Sequence, residues 1–367
     1  MYIYFAPFAL VLVLALSHQF GGPRFNKAFY GPALFALGLF AGLRFEVGAD
    51  WLAYQSFFEN IVDTVDNPFT SYFGNVSNLQ FESGYYLLVW LVKRLGGAYW
   101  VVFLLASVFC SYCIYRFTRR FPGNKFYILA VYIGYSFLLL QFAQVRQSIA
   151  VGCFLLGCDQ YLEHGKRFQA VAIACSGLLF QYSAILYVLL LVVVLWWPAR
   201  RVHQMLALLA VGAVCVVPFV YDPYQLATLI ATSQAAQKIA FYQANPQELA
   251  TGQIVYALVL LLLTGYLVSF RGTVTDPKEQ FVIRYAIFSL LFTVLMVFVF
   301  PTSYDMYSRA YLVASIFEGY AASLVFSVRR GFIHDVVFVG TCLVAFFYYS
   351  HILSSFGPAF VPYRSVL

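Results

Sequence analysis

Residues 126–163 read FYILAVYIGYSFLLLQFAQVRQSIAVGCFLLGCDQYLE: two apolar runs, 126–143 and 147–163, separated only by Gln144-Val145-Arg146. Each run approaches the roughly 20 mostly apolar residues that a helix needs to cross a bilayer. The same reading repeats outward in both directions. Of the 367 residues, 62% are hydrophobic, 20% aromatic and only 10% charged, and the mean hydropathy is +0.80. A soluble domain carries about 25% charged residues, and so few charged groups cannot cover a globule of this size. The chain therefore reads as all-α: a polytopic transmembrane helix bundle forming a single integral membrane domain over 1–367.

Twelve spans are expected, near 2–20, 28–44, 98–117, 126–143, 147–163, 168–181, 183–198, 204–220, 253–270, 282–300, 308–328 and 334–353. The pair over 168–198 is joined so tightly that its boundary is blurred. The first span has no basic residue before it and no small-residue cleavage site after it, so a retained helix is expected rather than a signal peptide. With the loop holding Arg24 and Lys27 set in the cytoplasm, only seven of the 22 basic residues fall outside: Arg44, Lys93, Arg94, Arg146, Lys238, Arg309 and Arg364. That bias puts both termini outside. Residues 82–95 are apolar but too short to cross, and an interfacial or re-entrant helix is expected there. The outer side then holds the two long segments, 45–97 and 221–252, and becomes the expected working face.

Several function classes drop out. No GxxxxGK[ST] occurs, so direct use of ATP is not expected. The net charge of +7 is accounted for by topology rather than by nucleic acid. The seven cysteines (Cys110, Cys113, Cys153, Cys158, Cys175, Cys215 and Cys342) all lie in apolar stretches and read as packing residues. Cys110 and Cys113 have CxxC spacing, but there is no second pair and no nearby His. The five histidines do not gather, so neither a metal nor a Ser-His-Asp triad is expected.

Four polar constellations interrupt the apolar background. Arg44-Phe45-Glu46-Val47-Gly48-Ala49-Asp50-Trp51, followed by Tyr54, lies at the outer end of the second span. Charges so near hydrocarbon are costly unless paired. They either snorkel to the interface or form an anion grip (Arg44) beside acid/base carboxylates (Glu46, Asp50). Glu82, in Phe81-Glu82-Ser83-Gly84-Tyr85, is placed to join them. Gln141–Ala150 makes an outer turn from which Arg146 opens the next span; there it caps the turn or, with the helix N-terminus, holds an anion. Gln181-Tyr182-Ser183 breaks a long apolar run and lines a cavity or bonds between helices. Pro301–Tyr311 carries Tyr304, Tyr307 and Arg309, and its tyrosines suit sugar stacking or the interfacial belt. Glu318, about two turns inward, is an intramembrane carboxyl. Together these groups fit a di- or polyanionic headgroup on a lipid, with a hydroxyl-rich partner.

In this order the residues resemble a family. Arg44-Phe-Glu-Val-Gly-Ala-Asp50 with Tyr54, Glu82-Ser-Gly-Tyr85, Val145-Arg146-Gln147-Ser-Ile-Ala150, Gln181-Tyr-Ser-Ala184 and the closing Val361-Pro362-Tyr363-Arg364-Ser365 are similar to the successive motifs of the EpsG-like family. These are Wzy-type polymerases of bacterial surface polysaccharides. One departure stands out: where the family commonly shows a His before Ser-Ala, this chain has Gln181, which hydrogen-bonds but does not take a proton.

The resemblance implies a GT-C-like integral membrane glycosyltransferase in the bacterial inner membrane, with its active site and both termini periplasmic. The growing glycan on polyprenyl pyrophosphate would move en bloc to a new lipid-linked oligosaccharide repeat unit, without metal, cofactor or nucleotide sugar. A chain-length regulator in the same membrane would be a natural partner, and nucleic acid would not. Pyrophosphate and glycan contacts are expected from Arg44, Arg146, Arg309, Tyr54, Gln147, Gln181, Ser183, Tyr304 and Tyr307. Arg146 is expected to stabilise the leaving group, and Asp50 to act as base, with Glu46 and Glu82 behind it. Two rivals stay open. A flippase for lipid-linked oligosaccharide would share the arginines and aromatic walls, but tends to show repeats and midplane charges. An O-antigen ligase would differ only in its acceptor.

Overall fold

The computed structural model describes residues 2–21, 26–61, 81–121, 123–197, 251–299, 304–328, 331–355, 357–360 and 362–366. The span expected near 204–220, most of the outer segment 221–252, and residues 62–80 of the other outer segment lie outside these. Every other expected span coincides with a helical segment. They are α1 (Tyr2–Gly21), α2 (Asn26–Gly42), α5 (Tyr99–Thr118), α6 (Lys125–Tyr132, continuing to Ala143), α7 (Val145–His164), α8 (Arg167–Cys175), α9 (Ile185–Trp196), α10 (Thr251–Phe270), α11 (Pro277–Val299), α12 (Tyr304–Val328) and α13 (Phe332–Ser355). Two short helices, α3 (Trp51–Ser56) and α4 (Ser83–Arg94), lie in the segment between α2 and α5, and α14 (Gly357–Phe360) follows α13.

Among the described residues, seven helical stretches are long and apolar enough to cross a membrane: α1, α5, α6, α10, α11, α12 and α13. The others fall short for visible reasons. α7 has the length, 20 residues, but carries Arg146, Asp159 and Glu163. α8 and α9 are two pieces of one apolar stretch divided at Gln181, whose backbone is extended (φ −157°, ψ 117°). Short 3-10 turns at Ser176–Leu179 and Tyr182–Ala184 flank that break. The 12-residue α4 is too short to cross, as its sequence indicates.

Two compact units are distinguished, Met1–Val188 with Gly319–Leu367, and Leu189–Glu318. In the first, α6 is the centre. Its run Lys125–Ala143 is wholly buried, the place for a helix that is apolar on every side. Asn124 starts it: its Oδ1 accepts the Tyr127 N–H (3.1 Å) while its Nδ2 donates to the Ala15 carbonyl of α1 (2.8 Å). At the end of α7 remote from Arg146, charges neutralise one another between helices, Arg116 with Asp159 (2.9 Å) and Arg120 with Glu163 (2.5 Å). This cluster stands about 20 Å along α7 from Arg146 at 1.5 Å per residue. In the second unit, α10 lies against α11, and the Tyr285 and Phe317 rings meet at 4.2 Å.

Candidate functional site

The end of the α6 run decides where Arg146 stands. From Ile133 to Ala143 the helix widens into a π-helix, and the Gln144 N–H donates to the Leu139 carbonyl at 2.9 Å. Such widened turns recur at functional sites. Helix α7 begins at Val145, so Arg146 falls in its first turn, where unpaired N–H groups and the helix dipole favour negative charge.

Three elements converge on that guanidinium. Glu82, at the start of α4, forms an ion pair with Arg146 Nη1 through its Oε2. Its Oε1 accepts the backbone N–H of Tyr182 at 3.3 Å. One carboxylate thus ties α4, α7 and the break before α9 together. The approach requires Gly84, where a Cβ would sit 2.8 Å from the Leu179 carbonyl oxygen. Phe81 lies under the cation, with the Arg146 Cζ 4.6 Å from its ring centre, a favourable cation–π distance. Tyr54 of α3 stacks on Phe81 (5.7 Å) and packs on Tyr85 (5.5 Å), closing an aromatic floor. Burial pushes the Tyr54 phenol above its ordinary pKa; Arg146 opposes the shift and Asp50 adds to it.

The polar residues beside this pair are arranged as donors. Gln147, buried in the first turn of α7, accepts the Ser183 hydroxyl on its Oε1 at 2.8 Å. Its Nε2 and the Nε of Arg146 are buried without an acceptor among the described residues. Gln181 is buried at the α8–α9 break. The Arg146 side chain remains 18% exposed against 7% for Glu82, so the cation is the member of the pair open to a ligand. Among the described residues no three His, Cys, Asp or Glu gather as a metal set.

The structure therefore joins the second and third sequence constellations through Glu82, and it divides the first. Asp50 is exposed at the N-cap position of α3, with no side-chain cap bond. Glu46 adopts a left-handed backbone (φ 55°) and pairs with Arg364 at 2.7 Å. Arg44 departs most from expectation. It is 1% exposed, and its Nε, Nη1 and Nη2 donate to the carbonyls of Val47 (3.0 Å), Ala41 and Phe142 (3.2 Å). Its guanidinium also lies 4.4 Å from the Phe103 ring centre. The expected anion grip at Arg44 is corrected: every one of its nitrogens is used inside the fold.

In the second unit, Arg309 is half-buried on α12. Tyr304 and Tyr307 open that helix, and their side chains lie outside the described residues. Further in, Tyr311 donates to the buried Glu318 carboxylate at 2.8 Å. Phe81, Tyr85 and the Tyr182 backbone N–H were missed as site members from sequence alone. The aromatic residues flanking Glu82 on either side were the available signal; the backbone donor left none.

No curated protein and no solved structure matched the chain. The EpsG family model matches residues 27–365, from the start of α2 to the residue that bridges Arg44. The chain belongs to the EpsG family, a family of Wzy-like polymerases of multi-pass membrane architecture.

Proposed function

We propose that this protein polymerises a bacterial surface polysaccharide on the outer face of the inner membrane. The donor is a growing glycan on polyprenyl pyrophosphate, and the acceptor is a sugar hydroxyl of a second lipid-linked repeat unit. The observation that carries this reading is the Arg146–Glu82 pair at the start of α7, set on the Tyr54–Phe81 floor, in a chain of this family. The bond between the anomeric carbon and the pyrophosphate oxygen breaks as the acceptor oxygen bonds to that carbon. The leaving pyrophosphate keeps the electron pair, and Arg146 with the N-terminus of α7 stabilises its charge. The Gln147 Nε2 supplies a further donor. The acceptor proton passes to a carboxylate: Asp50, exposed and electrostatically coupled to Tyr54, or Glu82 once the incoming pyrophosphate has displaced it from Arg146. The aromatic floor suits sugar faces. Arg309, Tyr304, Tyr307, Gln181 and Ser183 are assigned to glycan and pyrophosphate contacts on the same reading.

The test is a gel of surface polysaccharide from cells lacking the gene, complemented with wild type or Arg146→Ala. The expected result for Arg146→Ala is loss of the ladder while single repeat units still reach the surface. A normal ladder would refute the assignment of Arg146. Loss of even the single repeat, with lipid-linked units retained inside, would identify a flippase and turn the site into a transport path.

A further inference from the structure

Two of the sequence motifs, the one around Arg44 and the one that closes the chain, are not absorbed by the chemistry above. The structure brings them together. Residues 359–360 and 362–366 run along the loop that leaves α2. Gly48 N–H donates to the Ala359 carbonyl (2.8 Å), Phe45 N–H to that of Arg364 (2.9 Å), and Val366 N–H to that of Leu43 (3.0 Å). Arg44 and Ser365 form an antiparallel bridge, and Tyr363 stacks on Phe40 of α2 (4.7 Å) while donating to its carbonyl (2.8 Å). The terminal segment is a strap that holds the 43–48 loop.

The loop in turn holds the site. Arg44 reaches the Phe142 carbonyl in the last π-turn, four residues before Arg146. Gly48 (φ 115°) lies so close that a Cβ there would collide with the same carbonyl oxygen. By a second route, Arg44 lies over Phe103, whose ring meets Tyr54 edge-on at 5.8 Å, and Tyr54 stands beside Arg146. A buried guanidinium each of whose three nitrogens donates to a carbonyl, on three separate stretches of backbone, is a rigid splice. We infer that Arg44 is a positioning residue: it couples docking of the C-terminal strap to the placement of the α6–α7 junction, and so aims Arg146 without touching substrate. This inference rests on the assignment of Arg146 to the pyrophosphate. Positioning of this kind matters because a shift of about 1 Å at a reacting group costs on the order of 100-fold in rate.

The experiment uses the full-length protein purified in detergent, with inorganic pyrophosphate as probe and its effect on the thermal midpoint as readout, beside the polysaccharide ladder in cells. Variants are Arg44→Lys, a chain ending after Phe360, and Arg146→Ala. Arg44→Lys keeps the charge but not the three-way fork. The expected result is a lowered midpoint without pyrophosphate, because buried carbonyls lose their donors, together with binding of pyrophosphate by the folded protein weaker by about tenfold, the value of one charge-assisted hydrogen bond, and a lost ladder; the truncated chain shows the same weakening of binding. If Arg44→Lys lowers the midpoint and the ladder together while the folded fraction binds pyrophosphate normally, Arg44 is structural only and the inference is overturned. If it keeps both affinity and ladder while Arg146→Ala loses them, the inference falls and the assignment of Arg146 stands. If Arg146→Ala itself keeps them, both fall. Should Arg44→Lys fail to accumulate, the truncated chain decides: it leaves Arg44 and the Phe142 carbonyl in place and removes the strap that holds the loop, the same weakening of pyrophosphate binding is expected, and normal binding overturns the inference.

Discussion

The Arg146–Glu82 pair separates stability from activity in a way that a four-protein comparison can read. Glu82 is 7% and Arg146 18% exposed, so the pair is mostly buried. Removing one member of a fully buried pair costs about 3–5 kcal/mol, because the other charge is left without compensation. With Arg146 partly solvated, Arg146→Ala is expected to cost about 2–3 kcal/mol. For a unit of this size that lowers the thermal midpoint by roughly 4–12 °C. Glu82→Gln leaves a cation that still has Phe81, Tyr54 and some water, and its cost is smaller, about 1–2 kcal/mol. The double variant removes both charges, and the introduced amide keeps an acceptor for the Tyr182 N–H. Its stability is expected to return to within about 1 kcal/mol of wild type, a coupling of at least about 2 kcal/mol in the cycle. Polymer is expected to stay absent, since the leaving group has lost its cation. The assay is thermal unfolding of the four proteins in one detergent, with the ladder read in parallel. A double variant no more stable than Arg146→Ala would refute the burial argument. A double variant that regains the ladder would refute the anion role.

Three further outcomes are expected. Gly48→Ala forces a side chain into left-handed backbone and against the Phe142 carbonyl, so it is expected to cost about 2 kcal/mol or more, read as a lowered midpoint with a weakened ladder; wild-type values for both would contradict the close approach. Asn124→Ala removes the cap of α6 and its bond to α1, and should lower stability by about 1–2 kcal/mol with pyrophosphate binding unchanged in the folded fraction. Because burial raises the Tyr54 phenol above 10.0, it stays protonated and neutral throughout the range below that value. Wild type and Tyr54→Phe are therefore expected to share one alkaline activity profile up to about pH 10, and an alkaline limb below about pH 9 that Tyr54→Phe abolishes would refute this.

Much of the architecture is written in local composition. A helix in hydrocarbon must satisfy its own backbone, so each long apolar run has one outcome, and α1, α5, α6 and α10–α13 follow directly. The shortness of α4 and the break at Gln181 are also local, since both reflect where apolar length ends or a polar residue intrudes. The family emerges from short motifs kept in order, because the spacing of polar residues along an apolar chain is itself a pattern.

Which charges meet is a different matter. Glu82 lies nearer in sequence to Arg44 than to Arg146, and its choice of Arg146 depends on α4 crossing close over Leu179 at Gly84. Arg44 and Arg146 look alike as outer arginines at helix ends. One is buried among backbone carbonyls in the loop that the C-terminal strap holds, and the other keeps part of its side chain exposed beside Glu82. The sequence by itself determined the membrane helices, the family and a short roster of polar residues, because helix formation in lipid and motif order are properties of neighbouring residues. Only the tertiary structure decided that Arg146 stays partly exposed on a carboxylate while Arg44 is buried on backbone carbonyls, because burial and ion pairing depend on packing between segments roughly 60 to 320 residues apart.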